Sequence, residues 1–306
     1  MRILISGSTG LVGIALVEKF SREGHTVARL VRRGTSGVGS AAGGRAQNVR
    51  WDPVAGEFDA ASAEGTDALV HLAGASIAGG RWNVARKQLL RASRIDATRH
   101  LVAALAKLER PPRSILSASA IGFYGNRGDE TLSEASAPGN DFLAEACREW
   151  EAEAARAVEF GARVVNLRFG IILAKHGGAL PQMAMPIKLG VGGRLGNGRQ
   201  WMSWVTLEET VRIVEFALGN PGLAGPVNVV APNPARNSEF TKVLAKTLHR
   251  PALFPAPGFA LRLALGEMAD ALLLSSQKVV PSRLVDSGYS FVQPNLAAAL
   301  ADVFRK

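Results

Sequence analysis

The sequence predicts an α/β fold in which a doubly wound parallel sheet carries a smaller C-terminal substrate lobe. Three observations predict it. Strand-like and helix-like segments alternate from residue 2 to about residue 170. Three glycines, Gly7, Gly10 and Gly13, sit where the first strand hands over to the first helix. After Leu173 the texture changes to sequence rich in Gly and Pro. Repeated strand–helix–strand units imply parallel strands covered on both faces, and right-handed crossovers make such a sheet doubly wound.

Each element follows from local pattern. Arg2–Ser6 is a short apolar run of the buried type. Leu11–Glu23 has helical periodicity, with Leu11, Ala15, Val17 and Phe20 apolar and Glu18, Lys19 and Arg22 polar, and Gly24 ends it. His25–Val31 reads as the second strand. Residues 35–47, rich in Gly, Ser and Ala, predict a mobile loop. Asn48–Trp51, Ala68–Ala73 and Ser114–Ala118 are the next strands, and one long helix over Asn83–Leu108 separates the last two. A helix over Phe142–Phe160 and a strand over Arg163–Leu167 continue the alternation. A helix at Leu207–Leu218, a strand at Pro226–Val230 and a helix at Ser238–His249 follow. The expected division is a cofactor-binding domain of residues 1–174 plus 201–230, and a small lobe of 175–200 plus 231–306.

Composition narrows the classes. The chain has 306 residues, 47% hydrophobic, enough for a sizeable core. The most apolar stretch, Gly258–Ser275, carries Arg262, Glu267 and Asp270 and reads as a buried or amphipathic helix, not a membrane span. Residues 2–6 already form a strand, so no secretory leader is expected, and the protein is placed in the cytoplasm. Cys147 is the only cysteine, which removes internal disulfides and cysteine-rich metal sites. The five histidines are scattered, and no metal site is expected. The net charge of +10 comes mostly from arginine. Its spread along the chain, without basic runs, argues against nucleic acid as a partner. The expected partner is a small-molecule substrate, with no membrane.

The glycine stretch carries the chemistry. Where a strand of such a sheet meets the next helix, free N–H groups and the helix dipole favour a phosphate. In Gly7-Ser8-Thr9-Gly10-Leu11-Val12-Gly13, Gly7 permits the turn, Gly10 lets a diphosphate approach the backbone, and Gly13 lets the helix pack close. The position of the triplet, after a strand and opening an apolar helix, makes it a dinucleotide site of the Rossmann type. The second strand ends Val31-Arg32-Arg33-Gly34, without the acid that would bind a ribose 2′-hydroxyl. Two arginines there suit a 2′-phosphate, which points to NADP. Asp52 either accepts from the adenine amino group or caps the turn at Pro53. Leu72-Ala73-Gly74 ends the fourth strand where the chain passes the cofactor, and His71 just before it reads as a core histidine.

Together these residues resemble the short-chain dehydrogenase/reductase superfamily, in its extended epimerase/dehydratase branch. SASAIGFYG, residues 117–125, is similar to the strand end that carries the catalytic serine, Ser119. SRIDAT, residues 93–98, is similar to the helix that usually carries an active-site asparagine, with Arg94 in its place. LRFGI, residues 167–171, is similar to the strand that passes the nicotinamide, which implies Phe169 and Gly170 as cofactor neighbours. The finer likeness, carried also by FLAEACREWE, QWMSWV and SSQKVVPSRLVDSGYSF, is to the atypical YfcH-like epimerase family with its small C-terminal domain of unknown function. The resemblance spans essentially the whole chain and implies a Rossmann core and an NADP-type cofactor. A sugar or nucleotide-sugar substrate is family analogy alone.

The superfamily's chemistry uses a Tyr with a Lys four residues later. A free phenol, at a pKa of about 10, is too weak a base without such help. Here Phe142 and Ala146 occupy the corresponding positions, and Gly128 and Gln293 follow the two tyrosines at that spacing. Only Ser119 carries over, as a donor to a substrate oxygen. Tyr124 is either a substitute acid or a wall of the site. Arg94 either polarises a carbonyl, holds a substrate anion or pairs within its helix. The expected function is an NADP-dependent oxidoreductase or epimerase. The alternative is a chemically silent NADP-binding redox sensor or scaffold.

Overall fold

The computed structural model describes residues 1–32 and 46–305; Arg33 and most of the loop expected over 35–47 lie outside the described residues. The main sheet has eight strands. In chain order they begin with β1 (Arg2–Ser6), β2 (Thr26–Val31), β3 (Gln47–Asp52), β4 (Glu57–Phe58), β5 (Ala68–His71) and β6 (Ser114–Ala120). After the short β7 (Thr131–Leu132) come β8 (Arg163–Phe169), β9 (Ile171–Leu173), β10 (Trp201–Met202), β11 (Trp204–Thr206) and β12 (Gly225–Val229). The spatial order is β12-β8-β6-β5-β1-β2-β3-β4. All neighbours are parallel except the two-residue edge strand β4, which runs antiparallel to β3.

Alternation along each central strand divides the core. Ile3, Ile5, Val70, Leu116 and Val165 face α1 (Leu11–Arg22) and, later in the chain, Val211, Val214 and Ala217. Leu4, Leu69, Ile115 and Val164 face the opposite helices. After α2 (Ala60–Ala63) and α3 (Val84–Ala92), the helices α4 (Ile95–Leu105) and α5 (Phe142–Ala155) supply most of that opposite layer. The single helix expected over Asn83–Leu108 is two. Ser93 and Arg94 break it: the Ser93 hydroxyl donates to the Leu90 carbonyl at 3.1 Å and accepts the Ala75 N–H at 3.1 Å, tying the break to the loop after β5. β6 and β8 each run two residues beyond the expected ends, in register Ser119 to Arg168 and Ala120 to Phe169. β5 stops two residues early, because the Leu72 and Ala73 N–H groups turn to the Ser6 hydroxyl.

The rest of the chain adds a helix to the sheet face covered by α1, through Val211, Val214 and Ala217, and further segments that pack on one another. It comprises α6 (Leu180–Lys188), α7 (Leu207–Gly219), β13 (Ala235–Arg236), α8 (Asn237–Thr247), α9 (Gly258–Leu265), β14 (Lys278–Val279), α10 (Ser282–Asp286) and α11 (Leu296–Arg305). Leu180, Ile187, Trp204, Phe240, Leu244 and Leu300 centre a separate apolar cluster there. Three two-stranded pairings, β10 with β13, β9 with β11 and β7 with β14, stitch these segments together.

One buried carboxyl fastens the tail. Glu209, 1% exposed, stands in the first turn of α7 behind the cap Thr206. It accepts the Val292 N–H at 2.9 Å, the Gln293 N–H at 2.7 Å and the Tyr289 hydroxyl. Burial, reinforced by that carboxyl, pushes the Tyr289 phenol above its ordinary pKa, so it stays a donor. Glu209→Ala leaves these donors without a partner, and urea denaturation should show a loss of about 3 kcal/mol. A change near zero would mean that these hydrogen bonds do not hold the tail.

Candidate functional site

The strand order reverses between β1 and β5, the switch point outside which ligands bind in such sheets. The glycine turn lies there. Gly7 has φ +64°, and a Cβ on it would come within 2.7 Å of the Leu72 carbonyl carbon and oxygen. A Cβ on Gly13 would stand 2.2 Å from the Gly7 oxygen. At Gly10 it would lie 3.3 Å from the same oxygen, a milder constraint. Gly10 caps α1 without a side-chain hydrogen bond, and the first turn holds no acid. The N–H groups of Leu11, Val12 and Gly13 are therefore left for an anion. Ser8 is buried, Thr9 is exposed, and Leu11 is covered by the loop at Gly177 and Gly178.

A buried hydrogen-bond chain holds the two walls of this crevice together. Ser6 Oγ accepts from the Leu72 N–H at 3.0 Å and the Ala73 N–H at 3.2 Å, so its proton points to His71 Nδ1 at 2.7 Å. Thr98 must donate to the Arg94 carbonyl, at 2.5 Å, and so accepts from His71 Nε2 at 2.9 Å. His71 is thereby a neutral Nε2–H tautomer, and full burial pulls its pKa down to about 4. It is a structural group at the site's floor. Sequence reasoning placed His71 in the core but missed Ser6 and Thr98, which no spacing rule links to it.

At the adenosine end, Arg32 is exposed just past β2, close enough to Asp52 for its charge to help hold that carboxylate low. The larger cause is capping: Asp52 Oδ1 accepts the Ala55 and Val54 N–H groups at 3.1 and 2.9 Å. Of the two readings left open for Asp52, the turn cap is the one its bonds make.

The strand ends β6 and β8 carry a polar chain under α5. Ser119, expected from the sequence to donate to a substrate oxygen, is 3% exposed and commits its one proton to Glu151 Oε1 at 2.6 Å instead. Arg168, also 3% exposed, grips the same carboxylate from Nε and Nη2, both at 2.8 Å. Its Nη1 donates to the Tyr124 hydroxyl at 2.9 Å, which donates to Asn228 Oδ1 at 2.7 Å. The guanidinium stacks 3.4 Å from the Phe123 ring centroid. Burial pushes the Tyr124 phenol up, and the ring is fully buried. Cys147 is buried next to Ser119, and burial pushes its thiol up to about 11, which keeps it from acting as a thiolate. Glu151 and Arg168 were not singled out from the sequence; the register of β6 with β8 sets Ser119 beside Arg168, and the packing of α5 over both strands brings Glu151 to them. Phe142 and Ala146, in the first turns of α5, offer no exchangeable proton.

Arg94 is the cap residue of α4 and lies against the loop after β5, where a Cβ on Gly74 would stand 3.3 Å from its Cζ. Phe169 packs with Leu72, Ala118 and Trp150 at the same carboxyl edge. Gly170 is glycine for a packing reason: a Cβ there would meet the Ser203 oxygen and Val230 Cγ1 at 2.6 Å. A separate recess of about 610 Å³ between α1, α7 and α11 shares no residue with the glycine turn. Among the described residues, no helix is long and apolar enough to cross a membrane.

Comparison with known proteins agrees with this geometry. The profile of the NAD dependent epimerase/dehydratase family matches residues 3–230, and DUF1731, a domain of unknown function, matches 256–303. Epimerase family protein Mb2239 of Mycobacterium bovis is 41% identical over 97% of this chain and 96% of its own. The crystal structure of human epimerase family protein SDR39U1 with NADPH superposes with a TM-score of 0.89 at 32% identity, covering 100% of both chains. A Thermus thermophilus UDP-glucose 4-epimerase complex with NAD, at 18% identity and a TM-score of 0.76 over 100% and 99% of the two chains, shares the fold.

The buried His71 makes stability depend on pH with a defined sign. Its folded pKa, about 4, lies below the ordinary 6.5, so below pH 6.5 the unfolded chain takes up a proton that the folded one refuses. Stability should fall as pH drops from 6.5 toward 4, by an amount on the order of 3 kcal/mol. Chemical denaturation of wild type and His71→Asn across that range should show a shallower slope in the variant; equal slopes would contradict the assignment.

Proposed function

Because this chain belongs to the NAD dependent epimerase/dehydratase family, we propose that it binds NADP(H) as an oxidoreductase or epimerase of the atypical extended type. The cofactor, when bound, supplies the hydride acceptor or donor for a carbon of a small-molecule substrate. The observation that carries this reading is the crevice at the β1–β5 switch point, where Gly7 and Gly13 let the turn lie so close to β5 and to the start of α1 that neither position has space for a β-carbon. The amides of Leu11, Val12 and Gly13 would hold the diphosphate, and Leu72, Ala73 and Gly74 would flank the nicotinamide half. The phosphorylated cofactor is favoured because the sequence after Val31 reads Arg32-Arg33-Gly34, with no acid to take a 2′-hydroxyl. The NADPH in the human relative supports the same choice.

Ser119, with its one proton directed at Glu151, would meet a substrate oxygen with its lone pairs. That suits acceptance from an alcohol O–H, the reduced partner in hydride transfer. The Arg168 pair keeps Glu151 in place as the acceptor that fixes this direction.

A second reading, a chemically silent NADP sensor, is favoured by Phe142 and Ala146 at the dyad positions. Thermal shifts with NADPH, NADP+, NADH and NAD+ test the first claim. The phosphorylated pair should stabilise more, and Arg32→Ala combined with Arg33→Ala should remove the difference; equal shifts in wild type would reject NADP selectivity. Incubation with 4-deuterated NADPH and a metabolite extract separates the readings. Deuterium in a product supports the enzyme, and label confined to the cofactor across a broad panel supports the sensor.

A further inference from the structure

Two arginines stand near the carboxyl ends of the central strands, and the fold treats them differently. Arg168 is neutralised inside the protein by the paired oxygens of Glu151. Arg94 is not. Its Nη1 donates to the Leu90 carbonyl at 3.2 Å and the Ser93 hydroxyl at 3.4 Å, and its Nη2 donates to the Ala75 carbonyl at 2.9 Å. All three acceptors are neutral. No Asp or Glu among the described residues pairs with it, and burial lowers its pKa. A guanidinium nevertheless stays protonated, so the site holds a half-buried cation without a counter-charge, an arrangement that costs stability.

A second group at the same place lacks a partner. The Trp150 ring lies under this guanidinium, its centroid 5.4 Å from Cζ. Trp150 is 5% exposed, and its indole N–H is buried with no acceptor among the described residues. Buried indole N–H groups ordinarily find one. A cation without an anion and a donor without an acceptor are thus in ring contact.

The neighbouring cluster is apolar, with the Lys87 ammonium 4.9 Å from the Phe142 ring centroid at its edge. Ala75, whose carbonyl holds Arg94, packs in a cluster with Trp82, Phe142, Leu143, Met268 and Leu272. Phe142 and Trp82 meet edge to face with centroids 5.3 Å apart. The Trp82 N–H is already committed to the Ile77 carbonyl at 3.0 Å, so this wall offers little to sugar hydroxyls.

We propose that Arg94 anchors a carboxylate of the substrate, with the substrate's apolar body lying against Phe142 and Trp82. The proposal rests on the hydride-transfer reading and names its substrate class: an apolar or aromatic acid bearing an alcohol or carbonyl, in place of a nucleotide sugar. Arg94 uses three of its five N–H groups on the carbonyls and Ser93, which leaves Nε and one N–H of Nη2 for the planar, two-oxygen recognition that suits a carboxylate.

The test uses the NADP+-loaded protein and two matched probes, 3-phenylpropionate and 3-phenylpropionamide, with UDP-glucose as a third, titrated by calorimetry. NADP+ affinity is measured first, so failure of the cofactor reading registers separately. Wild type should bind the acid about tenfold more tightly than the amide. Arg94→Gln should erase that preference while keeping NADP+ affinity, and Arg94→Lys should retain part of it. Thermal melting shows that both variants fold. Equal binding of acid and amide, a preference surviving in Arg94→Gln, or tighter binding of UDP-glucose than of the acid would overturn the proposal. So would loss of NADP+ affinity in a folded Arg94→Gln, which would assign the guanidinium to the cofactor.

Discussion

The site depends on how closely the turn after β1 lies against the end of β5. Gly7 rests on the Leu72 carbonyl, and the start of α1 rests on the Gly7 oxygen through Gly13. Neither approach tolerates a β-carbon. The same closeness lets Ser6 reach the Leu72 and Ala73 amides and hand its proton to His71. Backbone packing, a neutral hydrogen-bond chain and an uncapped helix N-terminus are three consequences of one contact. The chain ends at Thr98 on α4, so the glycine turn and the helix that carries Arg94 are held in one frame.

Charge is distributed around this frame with some economy. The buried pair of Glu151 and Arg168 neutralises itself and fixes Ser119 and Tyr124 on either side. Such a pair is weak evidence for stability, since two desolvated charges offset most of their attraction. Its effect is orientation: it determines where the protons of Ser119 and Tyr124 point. Arg94, against the loop after β5, has only neutral acceptors inside the protein.

The segments after Leu173 connect to the frame through polar contacts as well as apolar ones. Gly170 passes under Ser203, and the Ser203 hydroxyl bridges to the Gln277 and Val279 backbone. Glu209 holds the tail on α7. Met268 and Leu272 bring the far end of the chain beside Trp82 and Phe142. The apolar wall of the site is therefore assembled from three stretches distant in sequence.

Local pattern was sufficient for the alternating strands and helices, the glycine turn and its strand-to-helix context, because periodicity and backbone freedom are properties of neighbouring residues. It was also enough to set Arg32 just past β2. It could not show that the expected helix over Asn83–Leu108 breaks at Arg94, since the break is held by Ala75 from another loop. Nor could it show that Ser119 donates to Glu151, that Arg168 is the partner of Glu151 and Tyr124, or that His71 is locked neutral between Ser6 and Thr98. Those outcomes depend on strand register and on which helix covers which face. Tertiary structure alone decided them, because a hydrogen bond between residues 30 or 100 apart leaves no trace in local composition, whereas a turn that requires glycine does.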